Sequence, residues 1–418
     1  MVAIALAKAR RRLLPFLFLL YVVSYLDRIN VGFAALQMNA ALHFSGVTYS
    51  LGAGVFFLSY TLLEIPSNVI LARVGARLWI ARIMITWGLI SASMMFVRSA
   101  TAFYVLRFLL GAAEAGFFPG IIYVLTRWFP RRDRARAIAG FMTAVVVAGI
   151  VGGPVSAVLL SMDGRAGLAG WQWLFLVEGV PAVVLGVFVL RVLPEQPSDA
   201  RWLTNDEQQA LTARLVEEAA ELTDSAVHTI RGAMTSVRVW LLAAVYFTIP
   251  VALYAMGFWM PQIVRSASGA SDRTVSLLSA VPYAVAAVGM VIIGRNSDRT
   301  GERRWHIALT AIAGGASFAA TGLVHGVVPS LVTLSLAMLG LASMLGPFWA
   351  FATSFLTGIG AAAGIALVNS VGNIGGFVGP NIIGFAQQTA HGVAGGLILI
   401  GAILAAGGLL VLTLDAGN

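Results

Sequence analysis

Residues 149–154 read GIVGGP, and residues 375–380 read GGFVGP, each inside a long apolar run. The two prolines are separated by 226 positions, and the same separation relates RVGAR at 73–77 to RTGER at 299–303. Two different motifs at one offset predict that the chain contains an internal repeat. Because a Gly-Pro pair frees backbone groups and permits bending, we expect both pairs to serve helix packing or rocking.

The amino-acid composition excludes a soluble protein. Of the 418 residues, 59% are hydrophobic and 11% are charged, and the mean hydropathy is +0.88. A soluble globular chain carries about 25% charged residues. The composition therefore excludes a soluble enzyme, a disordered protein and a DNA-binding regulator, and the length suits about a dozen spans of roughly 20 apolar residues.

The sequence contains twelve such segments, which we number spans 1 to 12. With the repeat, they predict an all-α membrane protein of twelve transmembrane helices in two six-helix bundles, with a binding site at the midplane between the bundles. The predicted domains are an N-terminal bundle at 1–193, a cytoplasmic linker at 194–235 and a C-terminal bundle at 236–418. The predicted spans are 13–36, 50–72, 79–98, 101–128, 136–160, 171–193, 238–264, 274–295, 305–326, 329–356, 360–387 and 392–414.

The predicted linker is the one long polar stretch of the chain. It holds eight of the 18 acidic residues. Residues 205–222 have the pattern of a short amphipathic surface helix, and a flexible tether is an equally open alternative.

The basic residues are distributed unequally over the two ends of the spans. Twenty-one of the 27 lie at one end and four at the other, while Arg28 and Arg107 lie inside spans. Because basic loops remain in the cytoplasm, both termini are predicted to be cytoplasmic. The net charge of +9 is dispersed over short loops, so nucleic acid is not an expected partner.

Several segments resemble the anion:cation symporter family of the major facilitator superfamily. The resemblance is strongest in the first six spans and covers most of the chain. Its motifs are YLDRINVG at 25–32, EIPSN at 64–68, RFLLGAAEAGFFP at 107–119, WFP at 128–130 and GWQWLF at 170–175.

The loop between spans 8 and 9 is similar to the general major facilitator loop motif. Gly294, Asp298, Arg299 and Gly301 carry this likeness, and the first-half copy around Arg73 is degenerate. The resemblance implies a gating or structural role for Arg73, Asp298 and Arg299.

Within the family, the sequence is most similar to the branch of tartrate, phthalate and hydroxyphenylacetate permeases. The resemblance implies a multi-pass protein of the bacterial inner membrane that imports an organic carboxylate with protons by alternating access. A tartrate-like hydroxy-dicarboxylate is the first expectation. A sugar acid, an aromatic carboxylate and an uncoupled carboxylate facilitator stay open as alternatives.

Six charged residues lie within the spans, away from the loops, and all are in the first half: Asp27, Arg28, Glu64, Arg107, Glu114 and Glu178. A charge at this depth is costly and usually faces a cavity or a partner. Arg28 keeps its proton and has a fork that matches a carboxylate, so it is the candidate anchor for the substrate. The alternative is a structural ion pair with Asp27 or Glu114.

Asp27 and Glu114 are the candidate proton carriers. Asp27 points roughly 100° away from Arg28 on the helix, so the two do not form an ideal pair. Glu114 lies among small residues that let helices approach closely. The resemblance implies proton coupling at both positions, with a static hydrogen-bonded acid as the alternative. Arg107, about 10 Å from Glu114 along the helix, is expected to organise the coupling network.

Other candidates are weaker. Tyr60, Asn373, Asn369, Tyr254 and Trp349 are candidate substrate contacts, and each has an alternative role in helix packing. Glu64 is expected to be a gate or a packing ion pair near the basic loops, with proton carriage as the alternative, and Glu178 is expected to be structural.

Some kinds of chemistry are not supported by the sequence. The single lysine, Lys8, precedes every glycine, so a nucleotide-binding loop is absent. The five histidines have no metal-ligand spacing, and no nucleophile lies near a base in the sequence pattern. We therefore expect no enzyme and no cofactor, with protons as the coupling ion. The expected partners are a small organic anion, protons and the lipid bilayer, around a monomer.

Overall fold

The computed structural model describes residues 1–224, 235–355 and 359–414, and within these ranges the regular structure is helical. Part of the predicted linker, 225–234, lies outside them. Among the described residues, ten segments are long and apolar enough to cross a membrane, and the helices Arg304–Thr321 and Ile359–Ala386 complete the twelve predicted spans. The main helices are Val2–Ala41, Gly46–Val74, Ala76–Ser93, Ala100–Glu114, Phe117–Trp128, Arg131–Met142, Ala144–Leu160, Gly170–Val192, Asn205–Asp224, Val237–Ser268, Asp272–Leu278, Ala280–Thr300, Arg304–Thr321, Val327–Phe355, Ile359–Ala386 and Gly392–Leu412.

Helix packing follows the predicted repeat. In the first half, span 1 packs on span 5, span 2 on span 4 and span 3 on span 6. In the second half, the same pairs recur as 7 with 11, 8 with 10 and 9 with 12. The two bundles meet through spans 2 and 11, spans 5 and 8, and spans 1 and 7, so the interface has the same symmetry. The exact domain limits at 193 and 236 stay a prediction.

Glycines allow matching helix crossings in the two halves. A Cβ at Gly88 would lie 2.7 Å from the carbonyl oxygen of Gly179, and one at Gly315 would lie 2.4 Å from that of Gly401. Both distances are too short for a real Cβ, so spans 3 and 6, and spans 9 and 12, cross backbone to backbone.

Span 4 is not the continuous helix that the sequence predicts. Its first helix ends at Glu114, and Gly116 adopts a left-handed φ of 87° before the next helix begins at Phe117. The Ser67 hydroxyl from span 2 donates to the carbonyl oxygen of Ala115 at 2.6 Å, and a Cβ at Gly116 would lie 2.3 Å from that hydroxyl. Span 2 thus satisfies the backbone of the break, and the sequence showed only a run of small residues there.

The polar stretch after span 6 contains the helix Asn205–Asp224, which decides between the two alternatives for 205–222 in favour of a helix. It docks on the extended N-terminal part of span 1, where the Lys8 ammonium lies 2.7 Å from the Glu207 carboxylate. Nearby, the Arg12 guanidinium lies 5.6 Å from the ring centre of Trp202. This segment is therefore anchored to the first bundle.

The contact between Lys8 and Glu207 predicts a pH dependence. Hydrogen bonds from Lys8, and then from the Thr204 backbone, hold the pKa of Glu207 below its usual range. The stabilisation is therefore present above the ordinary glutamate value of about 4.3 and is lost as the pH falls through the lowered pKa. We expect hydrogen exchange in 205–218, corrected for intrinsic rates, to rise only in that acidic window. Glu207→Gln should remove the pH dependence, and an unchanged acid response in that variant would contradict this role.

The bundles close on each other at the end that carries few arginines. There, Gln37 of span 1 donates to Asp272 at the start of span 8 at 2.9 Å, and Tyr49 donates to the carbonyl oxygen of Phe258 at 2.8 Å. Gly153, in the first Gly-Pro pair, packs on the backbone of Ser276 from the other bundle. At the arginine-rich end, contacts such as Arg10 with Asp133 stay within one half.

Gly32 permits a close approach of span 1 to span 7. A Cβ at Gly32 would lie 2.6 Å from the carbonyl oxygen of Gly257. Overpacking costs about 1–3 kcal/mol, so Gly32→Leu should open the closed end and raise its exposure about tenfold. The natural chain has no cysteine, so labelling of Ser276→Cys, which is buried in the interface, by an impermeant maleimide measures this directly. Exposed Ser271→Cys is the control, and equal labelling of Ser276→Cys with and without Gly32→Leu would refute the prediction.

Candidate functional site

Arg28 lies at the centre of the interface between the bundles. Its side chain is buried and forms an ion pair with Glu114 of span 4. Its other terminal nitrogen donates to the Tyr254 hydroxyl of span 7 at 2.9 Å. The guanidinium carbon lies 5.3 Å from the ring centres of both Phe56 and Tyr60. The guanidinium fork therefore joins an acid of the first bundle to a hydroxyl of the second.

Glu114 lies at the last residue of its helix, directly before the break in span 4. Its oxygen accepts a hydrogen bond from Ser24 at 2.8 Å as well as the contact from Arg28. The structure thus contains the Arg28–Glu114 ion pair that the sequence left open as an alternative. The carboxylate of Glu114 therefore takes one of the two terminal nitrogens that an anionic substrate needs from Arg28.

Asp27 points away from Arg28, as the helical geometry predicts. It accepts from the Trp87 indole at 2.6 Å and from the Ser91 hydroxyl at 2.9 Å, both on span 3. The Asn30 amide, one turn along span 1, donates to it at 3.3 Å. The candidate proton carriers therefore lie in two different surroundings: Glu114 faces the bundle interface, and Asp27 lies inside the first bundle.

Arg107 is fully buried and contacts the backbone of span 2. Its guanidinium donates to the carbonyl oxygens of Ala53 at 2.9 Å and Gly52 at 3.3 Å. Its guanidinium carbon also lies 5.0 Å from the ring centre of Phe56, the same ring that faces Arg28. Arg107 thus holds span 2 against span 4, and its role in a coupling network stays a prediction.

Glu64 is placed differently from its expected pairing near the basic loops. Its carboxylate accepts hydrogen bonds from Asn369 at 2.8 Å, and from Ser370 and Asn373 at 3.4 Å each. These donors belong to span 11, so the contact crosses the bundle interface. The two asparagines therefore face Glu64 across the bundle interface, and a direct contact of either one with substrate stays a prediction.

The aromatic candidates divide between the site and its surroundings. Tyr254 and Tyr60 contact Arg28, as described above. Trp349 packs on Tyr246 and Phe348 in the second bundle, with ring centres 4.9 and 5.4 Å away. Among the residues that the structure describes, it shows no contact with a buried charged side chain. The structure thus brings both tyrosines to the site and leaves Trp349 outside it.

The loop-motif residues lie far from these buried charges, at the arginine-rich ends of spans 2 and 8. Asp298 forms an ion pair with Arg303 at 2.7 Å, while Arg73 and Arg299 are exposed. All three lie in the last turns of helices: Arg73 at the end of Gly46–Val74, and Asp298 and Arg299 at the end of Ala280–Thr300. A gating function for the three residues stays a prediction.

Some contacts of the site were not found from the sequence. Ser24 lies one turn before Arg28, and Ser370 lies next to Asn369, so their spacing offered a signal. Trp87 and Ser91 offered none, because their partner Asp27 is on another helix and residues across helices have no fixed spacing in the sequence.

Comparison with known proteins identifies the family of the chain. The model of the Major Facilitator Superfamily matches residues 17–380. A protein named putative tartrate transporter, from Agrobacterium vitis, is 47% identical over 411 residues, which cover 98% of this chain and 94% of that protein. The putative metabolite transport protein NicT of Pseudomonas putida is 46% identical and is matched over 94% of this chain and 92% of its own length.

Solved structures show the same fold. A bacterial homologue of the human lysosomal transporter Spinster, in an inward-facing and occupied conformation, has a TM-score of 0.77 at 16% identity and covers 97% of this chain and 96% of its own. The xylose transporter XylE from E. coli, partially occluded and inward open, has a TM-score of 0.76 at 13% identity, covering 96% and 97%. The chain therefore belongs to the major facilitator superfamily and is a membrane transporter, not an enzyme.

Proposed function

We propose that this protein imports an organic carboxylate together with protons across the bacterial inner membrane, as a monomer that works by alternating access. The proposed substrate is a tartrate-like hydroxy-dicarboxylate. The names of the two relatives from Agrobacterium vitis support this substrate class, since both are called putative tartrate transporters. Their identities to this chain are 47% and 46%.

The observation that carries the proposal is the contact of Arg28 with both Glu114 and Tyr254. Arginine keeps its charge, so its affinity for a substrate carboxylate depends on whether an internal carboxylate competes for it. When Glu114 takes up a proton, it loses its charge and releases the guanidinium. When Glu114 loses the proton, it competes again and expels the substrate. Proton binding and substrate binding are then linked at one side chain.

The membrane potential gives a reason for proton coupling. Moving one charge costs about 2.3 kcal/mol per 100 mV, so a dianion entering alone against 100 mV faces roughly 4.6 kcal/mol. Two protons make the cycle electroneutral, and Asp27 with Glu114 provide two acids for them. We therefore propose up to two protons for each dicarboxylate.

Binding to purified protein tests the substrate class. In a thermal-shift panel, tartrate and related dicarboxylates are expected to raise the melting temperature with a concentration dependence that saturates. Sugars and amines of similar size are the matched controls and should give no shift. Stabilisation by a neutral sugar, with none by any carboxylate, would refute the proposal.

The proposed orientation places the arginine-rich end and both termini in the cytoplasm. Twenty-one basic residues at one end support it. A fluorescent reporter that folds only in the cytoplasm, fused after Asn418, should be bright. The same reporter inserted in the loop after Ala41 should be dark. The reverse pattern would overturn the orientation.

A further inference from the structure

Glu64 is a third buried acid, besides Glu114 and Asp27, that accepts hydrogen bonds from side chains of the protein. It lies on span 2, its side chain is buried, and its three donors lie on span 11 of the other bundle. Asn369, Ser370 and Asn373 are themselves half-buried. Two amides and a hydroxyl, all neutral, thus converge on one carboxylate from the opposite bundle.

This donor set has the chemistry of a carboxylate subsite. A carboxylate has two oxygens that accept several hydrogen bonds, and here one oxygen accepts from Asn369 while the other accepts from Ser370 and Asn373. Neutral donors bind such a group without adding a buried charge. They therefore suit an anion that has to leave again.

The donor set lies next to the Arg28 fork. Tyr60 comes one helical turn before Glu64 on span 2, and its ring centre is 5.3 Å from the Arg28 guanidinium carbon. Two places at which the protein binds one of its own carboxylates therefore lie near Tyr60: Glu114 at Arg28, and Glu64 at span 11.

We propose that Asn369, Ser370 and Asn373 form a second carboxylate subsite, which Glu64 fills in the absence of substrate and from which a dicarboxylic substrate displaces it. The inference rests on the proposed function, in which Arg28 takes the first carboxylate. It makes Glu64 a specificity-determining residue. A monocarboxylate fills the Arg28 fork and leaves Glu64 in place, whereas a dicarboxylate replaces both internal acids.

The test compares L-tartrate with its monoamide, which has the same size and one carboxylate fewer. Affinities are measured by calorimetry on purified wild type and Glu64→Gln. Removing the charged competitor should tighten tartrate binding about tenfold, since hydrogen bonds to a charged group are stronger than those to a neutral amide, and should change binding of the monoamide less than about twofold. Glu178→Gln, which neutralises a buried acid on span 6, is the control and should change neither affinity.

A double-mutant cycle separates competition for the donors from a general electrostatic effect. In the Asn369→Ala/Asn373→Ala background, the gain from Glu64→Gln should fall below about twofold, because two of the three contested donors, both amides, are gone. Equal gains for both ligands, a gain that persists without the asparagines, or no gain would each overturn the inference. Glu64→Ala gives the same readout if Glu64→Gln does not fold.

The outcomes also separate this inference from the proposed function. A wild type that binds neither ligand overturns both. If the wild type binds tartrate and the Glu64→Gln variant binds it with the same affinity, the second subsite is refuted. The proposed role of Arg28 is then unaffected.

Discussion

Arg28→Lys is expected to weaken binding of the substrate carboxylate by at least about tenfold, although the positive charge is kept. The guanidinium uses separate nitrogens for Glu114 and for the Tyr254 hydroxyl, and lysine has one point charge with no planar fork. Direct titration of purified protein with tartrate measures the loss. Because the lysine ammonium cannot hold both partners, it should also loosen the contact between spans 1 and 7.

A matched variant controls for the general effect of replacing arginine. Arg98→Lys makes the same exchange at an exposed position of the arginine-poor end and should leave affinity unchanged. Wild-type affinity in a folded Arg28→Lys protein would show that the fork does not bind the substrate.

Glu114→Gln is expected to abolish accumulation of substrate driven by a pH gradient while substrate still binds. Glutamine keeps an oxygen that accepts from Ser24 and Arg28, but it neither binds nor releases a proton. The variant should therefore exchange internal for external substrate in proteoliposomes and stop at equal concentrations on the two sides. Glu217→Gln, on the exposed face of the helix Asn205–Asp224, is the control and should accumulate substrate normally.

Two results would contradict this role of Glu114. Accumulation by Glu114→Gln at the wild-type level would show that the proton is carried elsewhere, with Asp27 the next candidate. If the variant loses both substrate binding and substrate accumulation, Glu114 shapes the Arg28 site and does not couple proton binding to transport.

The fold was largely predictable from the sequence because its determinants are local or periodic. The length of each apolar run determines where a span lies. The two Gly-Pro pairs, 226 positions apart, lie on spans 5 and 11, and these spans pack on spans 1 and 7 in equivalent ways. The divergence of Asp27 from Arg28 was also predictable, since neighbouring residues on a helix point about 100° apart.

The partners of the buried charges were less predictable, because they lie across helices. Glu64 and Asn369 are 305 positions apart, and nothing in the local pattern of either indicates the other. The break after Glu114 was missed for a related reason. A run of Gly and Ala suits a continuous helix as well as an interrupted one, and the Ser67 hydroxyl that stabilises the interruption comes from span 2.

Proton-driven accumulation by the wild type tests the central claim most directly. Proteoliposomes with an alkaline interior are given radiolabelled tartrate, and the internal concentration is followed with and without a protonophore. The proposed mechanism predicts that tartrate rises above its external concentration and that the protonophore returns it to equilibrium. Entry that never exceeds the external concentration, and that does not respond to the protonophore, would identify an uncoupled facilitator and contradict proton symport.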